Sequence, residues 1–291
     1  MAAAGGGDGV KTAEALRAAR TALEEAGIQE ARLEAEVLVM HAAERTRESL
    51  YASLGEPVTI TARERLGGYL ERRLQREPLA YITGRREFFG LDFTVDHRVL
   101  VPRQETETLV ELALDIARGP YRGSCAIADV GTGSGAIAVS LAANLPKAAL
   151  YAIDISKDAL EVAAANARRH GVEGRVHFLH GDLLTPLVTP VDIIVANLPY
   201  IAHGEAGSLQ PEVRLFEPPQ ALFAEGDGLE TVARLLSQTF ALAQRPRWLV
   251  LELGEGQAER AAAIAKGYFP TATVTAYRDL GGMERGLIIG L

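Results

Sequence analysis

Asn197, Leu198, Pro199 and Tyr200 follow directly on an apolar run, Val191 to Ala196. These residue types suit one chemical problem. An amide or base amino nitrogen is planar, and its lone pair is delocalised. To attack an activated methyl group it needs its N–H groups held by acceptors and its plane fixed. The side-chain oxygen of Asn197 is one acceptor. The carbonyl of Leu198 is another, turned outward because Pro199 restricts the residue before it. Tyr200 offers an apolar ring on which a flat group can stack. Acceptors placed in this way stabilise positive charge developing on nitrogen. With an activated methyl donor, much of the rate can come from alignment, and no dedicated general base is required.

A second cluster names the donor. Asp129, Gly131, Thr132, Gly133, Ser134 and Gly135 lie between an apolar strand-like run and an apolar helix-like run. Glycines there allow a tight turn and a close approach of backbone to ligand, and the helix start beyond adds donors. A glycine-rich turn alone is shared by NAD, FAD and S-adenosylmethionine enzymes. Here the spacing is G-x-G-x-G, not the G-x-G-x-x-G of a dinucleotide site. Asp129 stands two positions before the first glycine, and an acidic neighbour suits a cationic ligand. Asp154, followed by Ile155, ends the next strand-like run, where a carboxylate can accept from both ribose hydroxyls; its bland alternative is a helix cap, for which Ser156 competes. Asp182, followed by Leu183, comes just after the third and can reach an adenine amino group; its bland alternative is a turn Asp. These features point to S-adenosylmethionine, leaving S-adenosylhomocysteine as product. A dehydrogenase and a non-catalytic binding module are the readings from other classes.

These residues need a scaffold that brings strand ends together. From about Leu109 onward the pattern alternates helix and strand. Strands are predicted at Ala126–Val130, Ala149–Ile153, Arg175–His180, Asp192–Ala196, Arg247–Leu253, Thr273–Arg278 and Gly286–Gly290, with helices such as Lys157–His170 and Gly228–Ala243 between them. That implies a parallel sheet covered on both faces, with ligands at the carboxyl ends of its strands. The last two strands, joined by a short turn at Gly281-Gly282, should pair antiparallel at one edge. The first eighty or so residues read instead as a helical bundle. Helices are predicted over Thr12–Ala26 and Ala31–Glu44, the latter with Leu33, Val37, Leu38 and Met40 on one side. A third starts at the capping box Thr61-Ala-Arg-Glu64 and runs to about Arg76, after a loop from Leu54 to Thr59. Between bundle and sheet, Glu87 to Val101 reads as a hairpin connector. The expected organisation is a disordered tail over residues 1–9, a helical bundle over 10–84, the hairpin connector over 85–101 and an α/β domain over 102–291.

Bulk properties narrow the partners. The chain has 291 residues, a net charge of −8 and 48% hydrophobic residues, values of a globular protein with a real core. An acidic chain is not built to coat nucleic acid, which needs clustered Lys and Arg. The single Cys125 excludes a disulfide framework, and the six His are scattered, so no metal site is expected. No apolar run has the roughly 18 residues of a membrane helix, and the Ala- and Gly-rich start lacks a secretory pattern. A cytoplasmic setting is the expectation. Trp248 begins an apolar strand and is expected to serve packing.

At this point the chain resembles the HemK/PrmC family, the N5-glutamine methyltransferases of peptide chain release factors. The likeness covers nearly the whole length. It rests on Glu77-Pro-Leu-Ala-Tyr-Ile-Thr-Gly84, Arg86-Glu-Phe-Phe89, Val101-Pro-Arg-Gln-Glu-Thr-Glu107, the glycine loop, Asp154, Asn197–Tyr200, Phe216-Glu-Pro218 and Asp227-Gly-Leu229. The resemblance implies a Rossmann-like, seven-stranded class I methyltransferase domain, with a small N-terminal helical domain that docks the substrate. It implies cofactor contacts from Gly131 to Gly135, Asp154, Asp182 or Leu183, and Asn197. It implies that Asn197 to Tyr200 hold the glutamine of a Gly-Gly-Gln loop, with Arg103 and Glu107 nearby, in a monomeric enzyme. Two positions depart from the family pattern. Leu198 stands where the family has Pro in Asn-Pro-Pro-Tyr, and Gln104 replaces a Pro. Asn-Leu-Pro-Tyr resembles the form used by rRNA adenine dimethylases, so adenine N6 methylation of RNA or DNA is the alternative reaction.

Overall fold

A computed structural model describes residues 9–279 and 281–291. The tail expected over residues 1–9 lies outside the described residues except for Gly9. The chain divides into two compact units, one comprising residues 1–84 and 211–216, the other residues 85–210 and 217–291.

The first unit is helical: α1 Thr12–Glu25, α2 Ala31–Ala43, α3 Arg47–Ala52, α4 Ile60–Leu74 and α5 Leu79–Thr83, joined by the short helix Pro211–Phe216. Its core is rich in alanine. Ala31, Ala35, Leu38 and Ala42 form the buried stripe of α2, and Leu33, expected on that face, is 49% exposed. Small side chains at Ala31, Ala35 and Ala42 let helices approach closely, and together with Leu38, the one residue of the expected side that is fully buried, they face the core of the unit. The cap of α4 is also displaced from expectation. Thr59 accepts from the Ala62 N–H at 3.2 Å, so Thr61 falls inside the first turn. Helix α3 was not anticipated; Thr46 caps it by accepting from the Ser49 N–H.

Within this unit Arg73 is buried. Its guanidinium donates to Glu34 at 2.6 and 3.2 Å and to Glu212, on the Pro211–Phe216 helix, at 3.0 Å. Arg76 donates to the same Glu212 oxygen at 3.1 Å and to the Ala26 carbonyl at 2.7 Å. A buried guanidinium has to be paired on several sides, and the late segment supplies the second carboxylate.

The second unit opens with a hairpin, β1 Arg85–Phe88 and β2 Leu91–Thr94, paired antiparallel. Its two-residue turn, Phe89-Gly90, has positive φ at both positions, 52° and 73°, the mirror-image turn that matches strand twist. Val99 and Val101, expected in the hairpin, are buried but not in a strand. A 3-10 turn, Gln104–Thr106, leads into α6 Glu107–Arg118. There follow β3 Ala126–Val130, α7 Ala136–Asn144, β4 Ala149–Asp154, α8 Lys157–Arg169, β5 Val176–His180, β6 Ile193–Asn197, β7 Ile201–Ala202, α9 Pro211–Phe216, α10 Pro219–Leu222, β8 Phe223–Ala224, α11 Glu230–Ala241, β9 Trp248–Glu252, α12 Ala258–Tyr268, β10 Thr273–Arg278 and β11 Glu284–Gly290.

One seven-stranded sheet has the order β10-β11-β9-β6-β3-β4-β5. Strands β5, β4, β3, β6 and β9 run parallel. β11 enters antiparallel beside β9, and β10 pairs with it at the edge. β3 and β6 are buried along almost their whole length, as expected of central strands covered on both faces. The chain builds outward from β3 to β4 and β5, then returns to place β6 on the other side of β3. That reversal is the switch point at which open α/β sheets bind ligands. The loops after β3 and β6 flank it.

Candidate active site

The glycine loop is built from below by Asp129. This carboxyl, at the end of β3, is wholly buried. Its Oδ2 accepts from the Thr132 hydroxyl at 2.6 Å and from the Ala138 N–H, in the first turn of α7, at 3.0 Å. Oδ1 has no hydrogen-bond partner among the described residues. Burial pushes the group up to about 7, against the pull of the Thr132 and Ala138 donors. Asn166 of α8 pins the loop from the side. Its amide donates to the carbonyls of Ser134 and Thr94 and accepts from the Thr94 N–H. This residue, unremarkable in the sequence, ties the hairpin to the glycine loop.

Above the loop lies a cavity of about 300 Å³, within the range of small-molecule sites. Gly131, Gly133, Asp154, Ile155, Asp182, Leu183, Asn197, Leu198 and Pro199 line it. Asp154 is oriented by backbone: its Oδ2 accepts from the Gly133 N–H at 2.8 Å and its Oδ1 from the Ser156 N–H at 2.9 Å. Ser156, not Asp154, caps α8, accepting from the Ala159 N–H. Burial raises the Asp154 carboxyl above its ordinary range, and these N–H donors pull it back. Ile155, 61% exposed, offers an apolar surface beside that carboxylate. Asp182 is ion-paired with Arg234 of α11, and both residues stand on the cavity wall.

The end of β6 enters the same cavity. Asn197 donates from Nδ2 to the Thr106 hydroxyl at 3.1 Å. Leu198 is buried, and Pro199 and Tyr200 are half-buried. The Tyr200 carbonyl accepts from the Gln257 side chain at 2.9 Å, and Gln257 in turn accepts from the Gly254 N–H at 2.9 Å. Gly228, at φ +88°, lies so close that a Cβ there would overlap the Tyr200 carbonyl. The Tyr200 phenol is pushed up to about 12, first by burial and then by Glu252, so it stays neutral and serves as a polar-tipped ring.

Of the residues singled out in the sequence, Gly131, Gly133, Asp154, Ile155, Asp182, Leu183 and Asn197 to Pro199 share the cavity wall, and Tyr200 does not reach it. Asp129, Thr132 and Ser134 are buried and stand off the cavity wall, and Gly135 opens α7. Arg103 and Glu107 are engaged elsewhere. Arg103 donates to Glu217 at 2.6 Å, whose side chain is 1% exposed. Burial raises the Glu217 carboxyl, and Arg103 restrains it. Glu107 accepts from the Phe89 N–H at 2.9 Å and so holds the hairpin turn. Two residues given no role in the sequence reading sit against Asn197: Thr106, within the Val101–Glu107 element, and Glu252, outside every motif. Thr106 had its place in that element as a signal, and Glu252 only its place at the end of a strand. Cys125 is buried, which pushes its thiol up to about 11 and leaves it unreactive. Among the described residues no group of His, Cys, Asp and Glu is arranged to hold a metal ion, and no helix is long and apolar enough to cross a membrane.

Comparison with known proteins gives a consistent picture. Residues 14–84 match the PrmC N-terminal domain family, and residues 114–247 the Methyltransferase small domain family. The release factor glutamine methyltransferase of Moorella thermoacetica is 43% identical over 94% of this chain and 95% of its own. That of Bacillus subtilis is 38% identical over 94% and 95%. That of Geobacter sulfurreducens is 42% identical over 81% and 82%. Among solved structures, the hMettl16 catalytic domain has a TM-score of 0.56 at 19% identity, covering 79% of this chain and 81% of that one. At that identity the likeness is one of fold.

Proposed function

This chain belongs to the family of release factor glutamine methyltransferases, and we propose that it transfers the methyl group of S-adenosyl-L-methionine to the side-chain amide nitrogen, N5, of the glutamine in the Gly-Gly-Gln loop of a peptide chain release factor. The observation that carries this reading is the delivery of Asn197, Leu198 and Pro199 onto the same cavity wall as Gly131, Gly133 and Asp154.

The cavity fits the cofactor. Its volume suits a nucleoside with an amino-acid tail. Asp154 has carboxylate lone pairs left for ribose hydroxyls, and Ile155 gives an apolar face for adenine. Leu183 and the backbone after β5 border the same end, whereas the Asp182 carboxylate is already held by Arg234. Gly131 and Gly133 leave backbone free to approach the tail. When bound, S-adenosylmethionine supplies a methyl group on a positively charged sulfur. The residues of this chain do the rest. Asn197 Oδ1 and the Leu198 carbonyl accept the two N–H bonds of the glutamine amide. Tyr200 packs against its plane. As the N–CH₃ bond forms and the S–CH₃ bond breaks, these acceptors hold the growing charge on nitrogen, and one proton then leaves to solvent. Leu198 serves this purpose as well as Pro would, because its contribution is its carbonyl.

We further propose that the helical unit docks the release factor, that the enzyme works as a monomer, and that a translation-factor substrate places its work in the cytoplasm. Arg103 and Glu107 act by organising the surroundings of the site through Glu217 and the hairpin turn. The test is incubation of purified protein and labelled cofactor with a release factor, with the same factor carrying Ala for the loop glutamine, and with rRNA. Label in the unaltered factor alone, and a methyl group on that glutamine by mass spectrometry, is the expected result. Label in rRNA and none in the factor would replace this reading by the adenine alternative.

A further inference from the structure

Asn197 can accept from a substrate amide only if its own amide is the right way round. Oxygen must face the cavity and NH₂ must face the protein. Side-chain amides rotate readily between the two orientations, so something has to choose. The choice is made on the opposite side from the substrate. In the parallel ladder of β6 and β9, Asn197 is the register partner of Glu252. Glu252 is 4% exposed, and its Oε2 has no hydrogen-bond partner among the described residues. Thr106, buried on the 3-10 turn before α6, accepts from Asn197 Nδ2 at 3.1 Å. Glu252 thus stands as a buried carboxyl beside this pair, and both Thr106 and Asn197 pull it downward.

The direction of the Asn197–Thr106 bond follows from the buried carboxyl beside it. An ionised carboxylate only accepts. The single Thr106 proton therefore points to Glu252, the Thr106 lone pair is left for Asn197 Nδ2, and Asn197 Oδ1 is turned to the cavity. We infer that Glu252, directly and through Thr106, is a positioning residue that sets the orientation of the Asn197 amide, and that protonating Glu252 reverses the polarity and withdraws the substrate's acceptor. The inference rests on the glutamine-methyltransferase reading of the site.

The surroundings make this switch operate in the neutral range. Burial pushes the Glu252 carboxyl up to about 7, with Thr106, Arg285 and Asn197 pulling it down and Glu105 pushing it up. The charged and titratable groups facing it come from several elements: Arg285 on β11, Glu105 on the 3-10 turn, Tyr277 on β10 and Tyr200 after β6. Arg285 is itself paired with Asp279 at 2.7 Å. Helix α6, which also packs against β9, contributes buried residues that are all apolar: Leu109, Val110, Ala113, Leu114 and Ala117.

The experiment combines kinetics with a readout that needs no substrate. Glu252→Gln places a permanent donor where the carboxylate was. It is expected to lower kcat about 10–30-fold, to change S-adenosylhomocysteine binding less than about threefold, and to abolish the acid limb of the kcat profile near pH 7. Thr106→Val should lower kcat in the same way, and neither change should lower it further in an Asn197→Ala background. In the unaltered protein the ¹⁵N side-chain amide signals of Asn197 should titrate with a midpoint near 7, and in Glu252→Gln they should not. A Glu252→Gln enzyme that keeps both kcat and the acid limb, or an Asn197 amide indifferent to pH from 5 to 9, overturns the inference with the reading intact. A protein that labels no release factor overturns the reading, while the amide titration still decides the switch.

Discussion

Leu198 fills the space into which a side chain at Gly131 would have to grow. A Cβ on Gly131 would lie 3.0 Å from Leu198 Cδ2 and 3.4 Å from the Asn197 carbonyl oxygen, and the backbone there has φ +78°. The first glycine of the cofactor loop and the second residue of the methyl-acceptor motif are thus in direct contact across the switch point. Gly131→Ala is expected to strain the loop twice, by conformation and by contact, at about 1–3 kcal/mol. Calorimetric titration with S-adenosylhomocysteine should register at least about a tenfold loss of affinity. Unchanged affinity would mean that the loop tolerates a left-handed alanine and that Leu198 gives way. The companion variant Leu198→Ala should lower stability by about 2–4 kcal/mol, as a truncated buried leucine does, yet keep kcat within about threefold, since the carbonyl survives.

The buried Asp129 should leave a mark on stability. Its folded value, about 7, lies above its ordinary 3.8. A raised acid contributes stability that is complete below the ordinary value and is lost as the pH climbs through the folded one. Between about pH 4 and 7 the unaltered protein should therefore lose stability that Asp129→Asn retains, a difference on the order of 1–4 kcal/mol by pH 8. Thermal melts of both proteins from pH 5 to 8 test this; parallel curves would rule it out.

Arg103 and Glu217 give a pH dependence of the same sign from a different cause. Arg103→Met leaves a buried carboxylate without its cation, and the Glu217 pKa, already raised by burial, rises further. The stability deficit should be largest at pH 8, about 2–4 kcal/mol, and should shrink as the pH falls toward the ordinary carboxylate range. Adding Glu217→Gln should restore most of it. A deficit that is flat with pH, or that survives the second change, would assign Arg103 a role other than pairing.

Gln257 is predicted to matter for substrate and not for cofactor. Its side chain bridges the Gly254 N–H to the Tyr200 carbonyl, which fixes where the Tyr200 ring stands. Gln257→Leu should raise KM for the release factor about 3–10-fold through a mobile ring, with S-adenosylhomocysteine affinity unaltered. Equal losses for both ligands would show that the whole cavity had loosened.

Much of this architecture could be read from residue order, for identifiable reasons. Central strands such as Ile193–Asn197 are unbroken apolar runs, and the antiparallel edge followed from the short Gly281-Gly282 turn. That the glycine spacing, Asp154 and Asn197–Pro199 would lie on one cavity was legible because each stands at the end of its own strand. What escaped was whatever depends on register or on distant partners. Glu252 meets Asn197 only because β6 and β9 are parallel neighbours in one alignment, and Thr106, though inside a recognisable element, meets it from a turn 91 residues away. Glu107 looked like a charge for the substrate and holds a hairpin turn. In α2 three alanines share the buried stripe with Leu38, so reading large apolar residues alone misplaced Leu33. Thr59 outcompeted Thr61 as a cap because both are good acceptors and only the path out of the Pro57 loop distinguishes them.

The pairing of Arg73 with Glu212 also sets a timetable. Their positions are 139 residues apart in the chain, and at 5–20 residues per second a ribosome needs roughly 7–30 s to cover that distance. Throughout that interval the Arg73 guanidinium has Glu34 and the Glu77 carbonyl but lacks its second carboxylate. The amino-terminal helical unit, although made first, is thus completed only after β6 and its Asn-Leu-Pro-Tyr extension have left the ribosome. A nascent chain halted before Glu212 carries an unfinished bundle, so the maturity of the first unit reports that the reaction motif has already been synthesised.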